Sequence, residues 1–541
     1  MKRVLVLLLA FCLAVSMAAC GNAAKDNGEE AAGDESGPIN ICLASEPESM
    51  DPNLSATVDG AVMLPHLFEG LIRYNDDGTG KAILAPGTAE KWDISDDGLT
   101  WTFHLRKDAV WSDGQPVTSK DFLYSWNRLT ADATAAEYGY LLDVVARNAD
   151  GSLKISAPDD STFVAVLKSK APYFEEICAF PACFPLRQDI LEKYGEKWTF
   201  EPGTYVTNGP YALKEWKHNS YILMEKSDKY YNKDKITTPS IKFALMDDAN
   251  AIYAGFKSGE LNYIQSFPQN EVSGLMQSGD LKTKEQLGTY YVAFNNQKAP
   301  FDNPKVREAF SLAIDRNYIV EKVTQAGEIP ADGFVPLGVN DNDANMPDFR
   351  KEGGSYYSVK PEDYQANCDK ARQLLTEAGY PGGKDFPVVE YLYNTSGQYK
   401  AIAEVLQNTW KSVLGVTVTL QNQDWNTYIQ SVVNGSYQVA GERWIADYND
   451  PITFLDLFKS DSGNNDPKYN NPAYDEKIGQ TQNTSDQAER MKYLHQAEDL
   501  LLKDNVIAPL YFYVQPYMTT LEGWYNSPMG YMFFDHATVK K

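Results

Sequence analysis

The sequence has little cysteine, little histidine and, for its size, little positive charge. Of 541 residues, 6 are Cys and 5 are His. No CxxC pair occurs, which removes a zinc ribbon and a thioredoxin-type redox site. His66, His104, His218, His495 and His536 are scattered and form neither HxxH nor HExxH, so no metal site is expected. GxSxG, GxxxxGK(S/T) and a GxGxxG after a strand are also missing, and with them the usual hydrolase, NTPase and dinucleotide signatures. With 74 Asp plus Glu, some close carboxylate pair is inevitable, so a glycosidase pair carries no weight. Only 49 Lys plus Arg oppose them, giving a formal charge of -25. Phosphate binding needs clustered cations, so nucleic acid is excluded as a partner. These absences describe a protein that is not an enzyme and needs no cofactor.

What is present begins with one apolar run. Lys2 and Arg3 precede Val4–Ala19, which ends Met17-Ala18-Ala19-Cys20. A charged start, an apolar stretch and small residues before a cysteine read as an export signal over 1–19. The run is short for a membrane span of ~20 residues. Cys20 after Ala18-Ala19 resembles a bacterial lipobox, which implies lipidation of Cys20 and anchoring at the outer face of the cell membrane, the periplasmic side in a Gram-negative cell. Residues 20–38 then form a flexible tether: 21–38 hold no large apolar side chain and carry one Lys against five acids. Aromatics make up 12% of the chain, which excludes disorder for the remainder. Its length predicts two or three domains.

Strand and helix signals alternate through that remainder. Ile39–Leu43 and Thr100–Leu105 read as strands, the second alternating Trp101, Phe103 and Leu105 with polar residues. Thr118 with Asp121 has capping-box character ahead of Phe122, Trp126 and Leu129 at helical spacing. Asn303-Pro304 opens a helix carrying Val306 and Phe310. Helices over 371–378 and 402–414 close at Gly379 and Gly415, and Val416–Leu420 reads as a strand. The mixture predicts an α/β fold. Cys178 and Cys183, with four residues between them, leave a disulfide and two free thiols equally open.

One stretch carries a candidate site: Asp424-Trp425-Asn426-Thr427-Tyr428, then Arg443-Trp444-Ile445-Ala446-Asp447-Tyr448-Asn449-Asp450-Pro451. A carboxylate beside apolar walls attracts a cation strongly, because water screens it less. The spacing equally allows a helix-capping aspartate, a role that Asp450-Pro451 fits better than Asp447 does.

These residues, with Ser49-Met50-Asp51-Pro52, Phe122–Trp126, Gly195–Trp198, Thr207–Gly209, Asn295–Gln297, Val306–Ala309, Leu374–Gly379 and Val506–Tyr511, resemble the oligopeptide-binding lipoproteins of peptide ABC importers. Those belong to the peptide/nickel, or family 5, solute-binding proteins. The resemblance covers nearly all of 39–541. It implies a two-lobed periplasmic-binding-protein-like fold (type II) with mixed sheets and three domains. These are domain I (39–68, 188–287 and 515–541), domain II (69–187) and domain III (288–514), with chain crossings near 68, 187, 287 and 514. It implies that Asp447 pairs with a peptide's α-ammonium and that Trp425 and Trp444 wall the side-chain pockets. Val58, Tyr138, Tyr291, Asn464 and Tyr513 fall at positions that approach the peptide in similar proteins, and Ile445 adjoins the Asp447 motif. Where similar proteins place an Arg and a His near the ligand's carboxylate, this chain has Gly441 and Tyr399; where they place a Glu, it has Ala293. Arg443 is the candidate replacement cation. A disulfide known in some relatives falls on Gly288 and Ile445 and cannot form. The implied partners are short peptides and permease subunits, with the protein acting as a monomer. Other readings are a nickel chelate, a modified peptide or a signalling pheromone as ligand and, more distantly, an exported hydrolase.

Overall fold

Eleven strands form one large mixed sheet. In chain order they are β1 (Ile39–Cys42), β2 (Tyr211–Lys217), β3 (Tyr221–Lys226), β4 (Ser240–Ala244), β5 (Tyr263–Ile264), β6 (Lys282–Phe294), β7 (Ile329–Pro330), β8 (Val389–Asn394), β9 (Val418–Gln423), β10 (Val439–Ile445) and β11 (Ile507–Thr519). In space they run β9-β8-β10-β6-β11-β5-β1-β4-β3-β2, with β7 paired to β11 off that path. The computed structural model describes residues 37–43, 46–47, 49–341, 348–484 and 486–540. The expected signal, Cys20 and all but the end of the tether lie outside them. Pro38–Lys541 is one compact unit, and no helix among the described residues is long and apolar enough to cross a membrane.

The sheet is held together by its two longest strands, β6 and β11, of 13 residues each. They are antiparallel, and their ladder breaks between the pairs Glu285–Val514 and Thr289–Phe512. Residues 286–288 thus face a single residue, Tyr513. Gly288 is needed at this break: a Cβ there would lie 2.9 Å from the Trp444 carbonyl oxygen. Gly288 is also paired across the ladder with Ile445, so the disulfide positions of some relatives do face each other here but carry no sulfur.

The helices form where their end signals stand. Those that bear on the site or its support are, in chain order, α1 (Val58–Leu67), α2 (Ser119–Leu129), α3 (Phe174–Ala179), α4 (Pro304–Leu312), α5 (Tyr364–Glu377), α6 (Gly397–Leu414), α7 (Trp425–Val433), α8 (Ile452–Leu455) and α9 (Gln487–Lys503); Gln188–Tyr194, Ala249–Ser258, Gln269–Ser278 and Pro472–Thr481 are helices elsewhere. Asp121 accepts the Thr118 N–H at 2.7 Å at the head of α2. The Asn303 side chain accepts the Lys305 N–H at 3.0 Å ahead of α4; such a cap is worth ~1 kcal/mol. Gly415 ends α6 at φ +75, a conformation that glycine adopts without strain. Trp410 of α6 meets Phe310 of α4 at 5.0 Å and donates its indole N–H to the Phe310 carbonyl. That pair anchors the helices to the β6–β8 face.

A separate four-stranded antiparallel sheet runs Ala89–Ile94, Thr100–Leu105, Thr162–Val166, Ile155–Asp159. Trp101, Phe103 and Leu105 are buried, as their alternation predicts, and Trp126 of α2 packs edge-on against Phe163 at 5.0 Å. This sheet and its helices come from 89–179, and they meet the large sheet's loops through α3 and the 3-10 turn Glu137–Val144. Cys42, Cys178, Cys183 and Cys368 are all buried free thiols. The possible disulfide between Cys178 and Cys183 is not formed, and burial raises both thiols' pKa far from thiolate chemistry.

Candidate functional site

The site grows from the end of β10. Gly441, Arg443 and Ile445 share one face of this strand, and Glu442 and Trp444 share the other. On one side β10 pairs with β6 along its whole length. On the other, β8 pairs with it only through Tyr391–Val439 and Leu392–Ala440. From Gly441 to Ile445 that edge therefore has no strand beside it. The Tyr428 hydroxyl of α7 donates to the Gly441 carbonyl at 2.6 Å, which marks where the helix takes over from the missing strand.

The free edge leads to Asp447. This residue is only 8% exposed. Its carboxylate accepts the Tyr140 hydroxyl at 2.5 Å, and its backbone N–H approaches the Thr453 hydroxyl at 3.4 Å. It makes no ion pair among the described residues. Burial pushes its pKa up to about 7, against the opposing pull of those hydrogen bonds. Beside it lies a cavity of about 70 Å³, lined in part by Thr57, Tyr138, Ile445, Asp447 and Tyr531. An uncompensated carboxylate facing such a space suits a small cationic group.

Asp450, three residues on, resolves the capping alternative. Its Oδ1 accepts the Ile452 N–H at 3.0 Å at the head of α8, and its two oxygens take Arg490 at 2.7 and 2.8 Å. Asp450 is the structural aspartate, and Asp447 caps nothing.

At the other end of the edge stands Arg443. Its guanidinium lies 4.6 Å from the Trp425 ring centre and 5.5 Å from that of Tyr399. One nitrogen approaches Asn394 Oδ1 and the Tyr399 hydroxyl, each at 3.4 Å. It makes no ion pair among the described residues. On the same face, the hydroxyls of Tyr290, Tyr391, Tyr511 and Tyr513 are buried close together. A Cβ at position 441 would sit 2.4 Å from two of these hydroxyls, so glycine is required. The result is a guanidinium among phenols, a set rich in donors. The acid of the strand, Glu442, lies on the opposite face, where its Oε1 is 2.7 Å from the same Tyr428 hydroxyl. Burial and Asp466 raise its pKa.

The other candidates are placed unevenly. Trp425 is the first residue of α7 and 47% exposed, with Asp424 capping the helix through the Thr427 N–H. Trp444 is half-buried and shares Thr453 with Asp447, donating its indole N–H at 3.4 Å. Tyr138 lines the Asp447 cavity and packs on Phe180 at 4.7 Å. Tyr399 stacks on Tyr290 at 5.1 Å, and Tyr513 sits at the ladder break. Val58 opens α1 behind the Thr57 cap. Tyr291 is not gathered at the cavity: it is buried on the Glu442 face, edge-on to Phe334 at 5.3 Å. Asn464 is exposed in a loop, its carbonyl accepting the Asp466 N–H. Tyr140, which bonds Asp447, is absent from the candidates named from sequence. Its signal was the Tyr-x-Tyr spacing of 138–140, and the 3-10 turn sets the two rings 6.1 Å apart with both beside Asp447. Among the described residues no group of three or more His, Cys, Asp or Glu is placed to hold a metal.

Comparison with known proteins follows the same lines. Residues 84–466 match the family described as "Bacterial extracellular solute-binding proteins, family 5 Middle". The chain is 33% identical to the oligopeptide-binding protein OppA of Bacillus subtilis, over 99% of both chains. Among solved structures it resembles Haemophilus influenzae OppA in complex with RPPGFSPFR, at TM-score 0.81 and 32% identity, covering 94% of this chain and 100% of that one. It also resembles the murein tripeptide binding protein MppA of Escherichia coli, at 32% identity. One structure of MppA gives TM-score 0.82, covering 94% of this chain and 99% of that one; its unliganded open form gives 0.71, covering 93% and 98%. The two-lobed, mixed α/β periplasmic-binding-protein fold is thus the one expected. By motif, fold and length of match, the chain belongs to the family 5 bacterial extracellular solute-binding proteins.

Proposed function

We propose that this protein is a lipid-anchored extracytoplasmic receptor that captures short peptides and delivers them to an ABC importer. The observation that carries the reading is Asp447: buried, without a cation, and at the end of a strand edge with no strand beside it. A peptide added along residues 441–445 gives its backbone N–H and C=O groups to β10, which provides affinity without reading sequence. Its α-ammonium then pairs with Asp447, with Tyr140 holding the carboxylate. Four residues separate Asp447 from Arg443, ~13 Å of extended chain. That span favours ligands of three or four residues whose carboxylate reaches Arg443. Half-exposed Trp425 and Trp444 leave space for varied side chains.

The ladder break at 286–288 and Tyr513 is the natural hinge, and the poorer fit to the open form of MppA favours a closed arrangement here. On this reading 39–68, 188–287 and 515–541 form domain I, 69–187 domain II and 288–514 domain III. Cys20 carries the lipid, and the receptor works as a monomer on the outer face of the membrane. Native mass spectrometry of the protein as purified, followed by incubation with tri- to pentapeptides, tests the reading. Peptides retained intact are expected; peptides cut to fragments would mean a hydrolase, and none retained would remove the receptor. A Cys20→Ala variant is expected to leave the membrane fraction for the medium or periplasm.

A further inference from the structure

The loop that carries Asp447 is gripped from outside the strand edge. Glu176 of α3 accepts the Asn449 N–H at 2.5 Å. Three residues earlier, Tyr173 stacks on Tyr448 with ring centres 4.4 Å apart and planes within 6°. Behind the loop, Arg490 is committed to Asp450 and also lies 5.5 Å from the Tyr173 ring. Residues 448–450 are therefore clamped between the region of the four-stranded sheet and α9, immediately after the proposed ammonium anchor. The contacts of Tyr173 and Glu176 with the loop join segments more than 270 residues apart in sequence, so they form only when the two regions meet.

Glu176 enters this junction with no cation of its own. It makes no ion pair among the described residues. From the loop, Asp450 faces it and its charge is already matched by Arg490. On its own helix Glu175 adds a second negative charge and accepts the Trp92 indole N–H. From the strand Ile72–Asp76 comes the phenol of Tyr74, and from the C-terminal segment that of Tyr531. Arg73 of that strand is taken by Glu69 and Asp535. Among the described residues the Asn449 N–H is the group that favours an ionised Glu176, and burial outweighs it, raising the carboxyl to about 7.

We propose that Tyr173 and Glu176 are positioning residues for the Asp447 loop, and that docking of this loop on Glu176 takes up one proton, so that ligand capture tightens as the medium becomes mildly acidic. The sign follows from linkage. With the loop undocked, Glu176 is a solvated carboxylate with an ordinary pKa near 4.3. Docked, it holds a proton up to about pH 7. Between those values the docked form binds more protons, so lowering the pH favours it. Asp447 exchanges no proton in the same step: undocking takes Tyr138, Tyr140 and Tyr531 away from it and leaves it a solvated carboxylate, and in the liganded form the ammonium keeps it ionised.

The inference rests on the peptide reading, and its test separates the two. Calorimetric Kd values for a tri- and tetrapeptide library are measured at pH 7.5 and 5.5 on the full chain and on Glu176→Gln. Wild type is expected to bind about tenfold tighter at pH 5.5. Glu176→Gln, already neutral, is expected to change less than about twofold, a residue of the peptide amine's own titration. Equal pH dependence in both proteins, or none in wild type, overturns the proposal. If the variant does not fold, titration of wild type at pH 6 in two buffers of different ionisation enthalpy counts the protons directly: close to one per peptide is expected, and zero overturns it. No binding of any peptide at either pH defeats the receptor reading instead. In that case scattering of the ligand-free protein decides the proton linkage. A smaller radius at pH 5.5 than at 7.5 supports it, and an unchanged radius overturns it.

Discussion

Asp447 and Asp450 lie in one loop, three residues apart and almost equally buried, at 8% and 4% exposure. Asp450 has two charge-assisted bonds to Arg490 and a helix N–H. Asp447 has one phenol and a distant hydroxyl. Burying an ion costs several kcal/mol before its partners repay it, so the first residue is accounted for by the fold and the second is not. The comparison teaches where to look for function in a chain with 74 acids. Neither acidity nor burial marks the site; what marks it is burial without compensation, next to a space and an unpaired strand edge.

The comparison can be broken by substitution. Asp450→Ala leaves Arg490 buried and unpaired, and is expected to lower stability by ~3–5 kcal/mol in a denaturant titration, with ligand affinity reduced only as the loop loosens. Asp447→Ala is expected to do the reverse: peptide affinity falls by ~2–5 kcal/mol in calorimetry while the unfolding midpoint is held or raised. If both variants lost stability equally and affinity equally, the distinction between the two aspartates would be wrong.

The pH dependence of stability sharpens it further. With the loop docked and no ligand bound, the folded state holds a proton on Asp447 up to about pH 7, whereas the unfolded chain releases it near 3.9. The folded state binds more protons between these values, so this group's contribution is full below pH 4 and falls as pH rises toward 7. Asp447→Asn is therefore expected to stabilise the ligand-free protein by ~1–3 kcal/mol at pH 7.5 and hardly at all at pH 4. A difference that is the same at both pH values counts against an uncompensated carboxylate.

Smaller effects belong to the opposite end of the edge. Arg443→Ala is expected to weaken peptides with a free carboxylate by ~1–3 kcal/mol and their C-terminal amides by much less. Equal losses for both forms would remove Arg443 from the carboxylate end. Tyr140→Phe, which deletes one hydroxyl, is expected to weaken binding by ~0.5–1.5 kcal/mol.

Much of this was legible in the sequence because it is local. Asn303-Pro304, Gly379 and Gly415 punctuate helices through the conformations that these residues favour, and 100–105 alternates because one face of its sheet is buried. Even so, the strand expected from Val416 begins at Val418, and the helix expected from Ala371 begins at Tyr364. Such ends depend on packing more than on propensity. The candidate site was named through resemblance and not through spacing. Choosing Asp447 over Asp450 from first principles requires knowing that Arg490, 40 residues on, folds back onto only one of them. The free edge of β10 depends on where β8 stops pairing, which no local pattern encodes. Tyr140 went unnamed beside Tyr138 because its bond to Asp447 joins residues 307 apart in sequence.

The most direct test leaves the protein untouched. Calorimetry compares a tripeptide that binds with the same tripeptide acetylated at its N-terminus, which removes the ammonium and little else. The account predicts a loss of about 100-fold or more in affinity, since Asp447 would be buried with no cation. Equal affinity for the two peptides would contradict the claim that Asp447 is the ligand's anchor.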